Sequence, residues 1–158
     1  MASFQAGNQK WLIELTILDV GRLKSACDVD LFDANSLSEL LADSPRIYEV
    51  VWHLVSDQAA GFGVDEGGFA KIFTSHYGEV VDAFTEALSD FFQAMRRPEL
   101  SSVIAKTLSA YEKLQQSAEK RIRSADQAID RIVQQAETKA DQLIDQHLQS
   151  IGVEKSGV

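Results

Sequence analysis

Few side chains in this sequence are of types and spacings that do chemistry. Three histidines and one cysteine, His53, His76, His147 and Cys27, are the soft-metal candidates in 158 residues. They show no C-x-x-C or H-x-x-x-H spacing, so no zinc-type ligand set is expected. Cys27 falls on the apolar side of a helical pattern and reads as a small core residue. The run Asp28-Val-Asp30-Leu-Phe-Asp33 faintly resembles a calcium loop. It lacks the central glycine and the closing glutamate of such loops, and acids of this kind ordinarily make turns and helix caps. Gly61-Phe-Gly63 and Gly67-Gly68 lack the Lys-Ser/Thr and the preceding strand that a phosphate loop requires. The expectation is therefore no metal, no cofactor, no catalytic residue and no enzymatic activity.

One apolar cluster stands apart. Phe91, Phe92 and Met95 precede Arg96-Arg97-Pro98. Adjacent residues on a helix point about 100° apart, so both phenylalanines can be covered only by a broad surface. That surface is either the domain's own core, the favoured reading, or a partner.

The elements that would carry these residues follow from the pattern. Trp11, Ile13 and Leu15 alternate with Leu12, Glu14 and Thr16 as in a strand. Phe4–Ala6 can pair with it across Gly7-Asn8. Thr16 and Asp19 resemble a capping box before a helix at 17–26, with Val20, Leu23 and Cys27 on one face. Leu31 and Phe32 anchor the following loop. Ser36 and Glu39 form a second capping box, opening a short helix through Ala42. Ser44-Pro45 reads as N-cap and first helical residue of a central helix ending at Gly61, with Trp52 and Val55 buried. Asp65 caps a helix carrying Phe69, Ile72 and Phe73, whose first-turn glycines weaken it. Gly78 precedes a helix running from Val80 to Met95. The expected fold is mainly α: a small N-terminal β-hairpin, a compact bundle of about five helices, and a long C-terminal helix.

That last helix is the largest feature. Glu99–Ile151 contains neither Gly nor Pro over 53 residues. Apolar residues recur every 11 positions: Ala118, Ile129, Ala140 and Ile151; Tyr111, Ile122, Val133 and Ile144. Eleven residues in three turns keep such a stripe nearly straight, and a helix of this length would span roughly 80 Å. One narrow stripe on so long a helix calls for another helix against it. The expected divisions are an acidic domain at 1–97, the long helix at 98–151 and a flexible tail at 152–158.

Charge divides the same way. Residues 1–97 carry net −8 and hold 12 of the 13 aromatics, whereas residues 98–158 carry net −1. Neither part offers a basic face, so no nucleic acid is expected as partner, and an acidic domain is repelled by anionic lipid. No apolar run reaches spanning length, and MASFQAGNQKW is not a secretory signal. The single cysteine excludes an intrachain disulfide. A cytoplasmic protein is expected.

Several segments together resemble a known class. They are Trp11-Leu-Ile-Glu-Leu-Thr16 leading into Leu18–Lys24; Val29–Asp33; Ser44-Pro-Arg-Ile47 through Leu54; Val64–Phe69; and Ala83-Phe-Thr-Glu-Ala-Leu-Ser-Asp-Phe-Phe92. Over about residues 9–97 this layout resembles the phage tail assembly chaperones, including those of prophages and gene transfer agents. The resemblance implies a non-catalytic protein that binds the tape measure protein, brings tail tube subunits to it, and works in the host cytoplasm. The extension at 98–158 departs from the short members of that class. The partner-binding residues expected on the two surfaces are Phe91, Phe92 and Met95, and Ile122, Ile129, Val133, Ile144 and Ile151. Self-association through the long helix is the competing outcome, and a coiled-coil adaptor or oligomeric scaffold unrelated to phage is the alternative function.

Overall fold

Alternation of side chains makes the first element. In the computed structural model, which describes residues 2–152, strand β1 (Ala2–Ala6) pairs antiparallel with β2 (Gln9–Ile13). Phe4 lies opposite Trp11 and Ala6 opposite Gln9. Two-residue hairpin turns need positive φ at the first central residue, and Gly7 supplies 61°. Period-two geometry sends Ala2, Phe4, Ala6, Trp11 and Ile13 into the core. A lone hairpin is marginal in water; this one packs on helices α3 (Ser44–Gly61) and α5 (Tyr77–Ala94).

The remaining helices are α1 (Ile17–Cys27), α2 (Ala34–Leu41), α4 (Glu66–Ser75) and α6 (Pro98–Ser150). Among the described residues the fold is thus mainly α, with a hairpin, five helices of ordinary length and one long C-terminal helix. Helix α3 is central, packing against α1, α2, α4 and β2. Its buried set is Ile47, Val50, Val51, Val55 and Ala59. Trp52, expected in the core, is only half-buried beside Phe69. The fully buried tryptophan is Trp11, packed among Phe4, Phe62 and Phe69. Strand alternation decides this: Trp11 shares the inward face with Ile13, whereas Trp52 lies at the margin of a broad helical stripe.

Local caps explain the helix boundaries. Asp19 accepts from both the backbone N–H (2.7 Å) and the hydroxyl (2.8 Å) of Thr16, closing the start of α1. Helix α2 is capped by Asp33, not by Ser36: the Asp33 carboxylate accepts from the Ser36 N–H at 2.8 Å. The Ser36 hydroxyl is occupied elsewhere, accepting from the Asp30 N–H at 3.0 Å. Helix α3 is capped by Asp43 one residue before Ser44, with Pro45 in the first turn, where its missing N–H costs nothing. In both cases an aspartate just upstream takes the capping position, and its charge suits the helix N-terminus.

The C-terminus of α3 is closed two residues beyond Gly61. Gly63 takes φ 70°, the Val64 N–H donates to Ala59 O at 2.8 Å, and the Gly63 N–H donates to Ala60 O at 3.1 Å. This is a Schellman closure. Helix α5 ends in the same way, with Arg96 at φ 56°: the Arg97 N–H donates to Phe92 O at 2.8 Å and the Arg96 N–H to Gln93 O at 3.1 Å. Pro98 then opens α6. Gly78 lies inside the first turn of α5 rather than before it, because α4 and α5 share His76 as their junction.

The chain divides into two compact units, Met1–Tyr111 and Glu112–Val158. The first unit therefore takes in the start of α6, where an end at residue 97 was expected. Leu100 and Ile104 are buried in its core. The Tyr111 hydroxyl donates to Ala42 O at 2.8 Å. The 11-residue apolar spacing runs on through Tyr111 (Leu100, Tyr111, Ile122), so the repeat does not mark the boundary, although charged residues rise from two in 98–111 to five in 112–121. In the second unit α6 continues to Ser150, followed by a turn at Ile151-Gly152. The rest of the expected tail, 153–158, lies outside the described residues.

Candidate partner-binding surface

Cys27, Tyr48 and His76 are engaged within the fold. Cys27 is buried, and burial followed by the Glu49 carboxylate raises its thiol pKa, with Arg46 opposing. A thiol held protonated is a poor nucleophile and a poor ligand. Tyr48 is likewise raised, first by burial and then by Glu66. His76 Nδ1 lies 3.4 Å from the Glu79 carboxylate at the start of α5. His53 and His147 are exposed on separate helices. Among the described residues no group of three or more His, Cys, Asp or Glu could hold a metal ion.

The Asp28–Asp33 loop is a turn. Asp30 accepts from the Phe32 N–H at 3.0 Å and lies 3.6 Å from Lys24, while Asp33 caps α2. The glycine pair at the start of α4 serves a cap as well. The Asp65 carboxylate accepts from the Gly68 N–H at 2.7 Å. A Cβ on residue 68 would stand 3.1 Å from that oxygen and 3.3 Å from Val64 Cγ1. Gly68 thus gives the cap room to approach.

Phe91 and Phe92 are core residues, 8% and 0% exposed. They surround Phe32 at centroid distances of 6.1 and 6.2 Å, and the Arg97 guanidinium covers Phe32 at 5.4 Å. The packing reading of this pair is the observed one, and neither ring is presented to a partner. Only Met95 of that cluster is exposed. Arg97 also donates to the Glu99 carboxylate, which lowers the Glu99 pKa.

The second expected surface is in the open. In the unit that begins at Glu112, Ile122, Ile129, Val133, Ile144 and Ile151 range from 49% exposed at Val133 to 61% at Ile122. Leu114, Ile132 and Leu143 are exposed too. These three were missing from the sequence reading, although Ile132 and Leu143 are themselves 11 residues apart and widen the stripe on one side. At 100° per residue the seven from Leu114 to Ile144 fall on one face of α6, and Ile151 follows in the turn just beyond the helix. Isolated exposed apolar residues are ordinary; seven on one helix face make that face the candidate partner-binding surface.

A hollow of about 270 Å³ lies between the hairpin and α5, lined by Ala2, Ile13, Leu15, Ala87, Phe91 and Ala94 together with the acids Glu14 and Asp90. Among the described residues, the lining of this hollow holds no histidine, cysteine, serine, lysine or arginine beside the two carboxylates. No helix among the described residues is long and apolar enough to cross a membrane. No family model, curated protein or solved structure matches the chain.

Proposed function

We propose that this protein is a non-catalytic assembly chaperone of a phage-like tail, acting in the host cytoplasm. Its partners are a helical tape-measure-like protein and the tail tube subunits delivered to it. The observation that carries this reading is the exposed apolar row from Leu114 to Ile144 on α6, continued by Ile151 in the turn after it. A helix carrying one uncovered apolar face is built to be covered by another helix. A chaperone of this kind shields the partner's apolar helices before assembly and needs no bound group to do so. The segment pattern of residues 9–97 supports the assignment to tails. Phe91 and Phe92 have no part in the contact, because both are in the core.

The test is co-purification of the full chain with the tape-measure-like protein encoded beside it. Capture should be lost in the Ile129→Asp/Val133→Asp variant, because charge in the seam is costly to desolvate. Leu100, Ile104 and the rest of the first unit are untouched, so its thermal transition should persist. Undiminished capture by that variant would reject the seam as the binding element. A neighbourhood with no tail tube or tape measure gene would favour the alternative, a coiled-coil adaptor.

A further inference from the structure

The charges that border the α6 seam are sorted by side. At 100° per residue, Glu119, Asp130 and Asp141 run along one border at 11-residue intervals. Asp126 and Glu137, also 11 apart, stand on that same side closer to the seam. Arg123 is the one base there, at its outer margin. The opposite border holds Arg121 and Lys139, together with Ile132 and Leu143, and no acid. The seam is therefore acidic along one edge and basic or apolar along the other.

This asymmetry selects a partner and an orientation. When two identical helices lie parallel, the left border of one meets the right border of the other, and opposite charges face each other. When they lie antiparallel, each border meets its own copy. Antiparallel packing about residue 130 would set Glu119 against Asp141 of the other copy and Asp130 against itself, and like charges so placed are unfavourable. Arg121 precedes Asp126 by five residues on the opposite border, the stagger at which border charges of parallel helices meet. A symmetric parallel pair makes that contact twice.

We infer that a second copy of this chain covers the seam of α6, parallel and in register, from Leu114 to Ile151. The inference rests on the reading of the seam as the association surface and names what occupies it at rest. The homodimer keeps Ile122, Ile129, Val133 and Ile144 out of water, and the tape-measure-like helix competes for the same face.

The full chain should sediment at about twice its monomer mass of 17.5 kDa. Orientation is read by oxidative cross-linking in a Cys27→Ala background. Ala118 and Ala140 are equidistant from Ile129, so Ala118→Cys and Ala140→Cys, each alone, should yield covalent dimers. Arg121→Glu should weaken the dimer about tenfold at low salt, and adding Asp126→Arg should restore it. A monomeric chain, a trimer or larger assembly, or cross-linking only when the two cysteine variants are mixed would overturn the inference. A monomer that still captures the tape-measure-like protein would leave the proposed function standing. A parallel dimer that captures none would reject that function and keep the dimer.

Discussion

Gln58 grips Leu12 by both of its backbone polar groups. The Leu12 N–H donates to Gln58 Oε1 at 2.9 Å, and Gln58 Nε2 donates to Leu12 O at 3.1 Å. Leu12 sits opposite Ser3 in the hairpin, and among the described residues β2 has no second strand beside it. An unpaired strand edge is a template for unwanted pairing. A side-chain amide from the central helix takes the place of that missing strand and docks the hairpin on α3.

Removing this clamp has a defined cost. A typical hydrogen bond contributes about 0.5–1.5 kcal/mol net, so Gln58→Ala should lose about 1–2 kcal/mol in urea denaturation. Gln58→Glu keeps an acceptor for the Leu12 N–H but loses the donor to Leu12 O, and should fall between. Amide hydrogen exchange at Leu12 reads the site directly. Exchange as slow in Gln58→Ala as in the wild type would mean that the clamp does not protect this edge.

The two tryptophans should separate cleanly. Trp11 is fully buried, so Trp11→Ala should cost about 3–5 kcal/mol. Trp52 is only half-buried, and Trp52→Ala should cost clearly less. Trp11 Nε1 has no hydrogen-bond acceptor among the described residues, so Trp11→Phe forfeits volume but no hydrogen bond and should be milder than Trp11→Ala. Equal melting temperatures for the two alanine variants would contradict the placement of the core.

These residues also show what the sequence could reveal. Period-two alternation put Trp11 and Ile13 on one strand face, and Gly7-Asn8 marked the turn. Helical spacing identified Val20, Leu23 and Cys27 as one buried face. Misplacements came where two residues of similar capping ability lie within three positions: Asp33 against Ser36, Asp43 against Ser44. Which one caps depends on where the chain enters the helix, and that is set by tertiary packing. The Gln58 clamp was not legible, because its 46-residue separation from Leu12 leaves no local signature. Nor was the fate of Phe91 and Phe92, since the same double aromatic fits a core or a patch until Phe32 is seen beside it. Ile122, Ile129, Val133, Ile144 and Ile151 were legible because an 11-residue repeat is a property of one helix alone, whereas Leu114, Ile132 and Leu143 lie off the two series that the repeat marked.

Arg96 offers a stabilising substitution. It takes φ 56° in the closure of α5, where α3 uses Gly63 for the same role. An L-residue in this region costs about 1–2 kcal/mol, partly offset in glycine by its greater chain entropy when unfolded. Arg96→Gly should raise stability by up to about 1 kcal/mol, and Gly63→Ala should lower it by about as much. Matched melting curves decide both. A fall in stability with Arg96→Gly would indicate that the Arg96 side chain contributes more than its backbone costs.

The boundary of the first unit is testable by truncation. A fragment of residues 1–97 ends before Leu100 and Ile104, each only 2% exposed. Losing a buried aliphatic side chain of this size costs about 2–5 kcal/mol. Two such losses approach the whole stability of an ordinary domain, about 5–15 kcal/mol. The 1–97 fragment also loses Thr107, whose hydroxyl lies 3.4 Å from that of Ser38, and the Tyr111 hydroxyl bond to Ala42. It should therefore be loosely folded, with shallow unfolding and exposed apolar surface that binds hydrophobic dyes. A fragment of residues 1–111 keeps all these contacts and should unfold cooperatively. The comparison also governs binding experiments: loss of capture by the 1–97 fragment would report a damaged core, whereas loss by the 1–111 fragment isolates the seam. If 1–97 unfolded as sharply and as late as 1–111, the first turns of α6 would be a passive extension rather than part of the core.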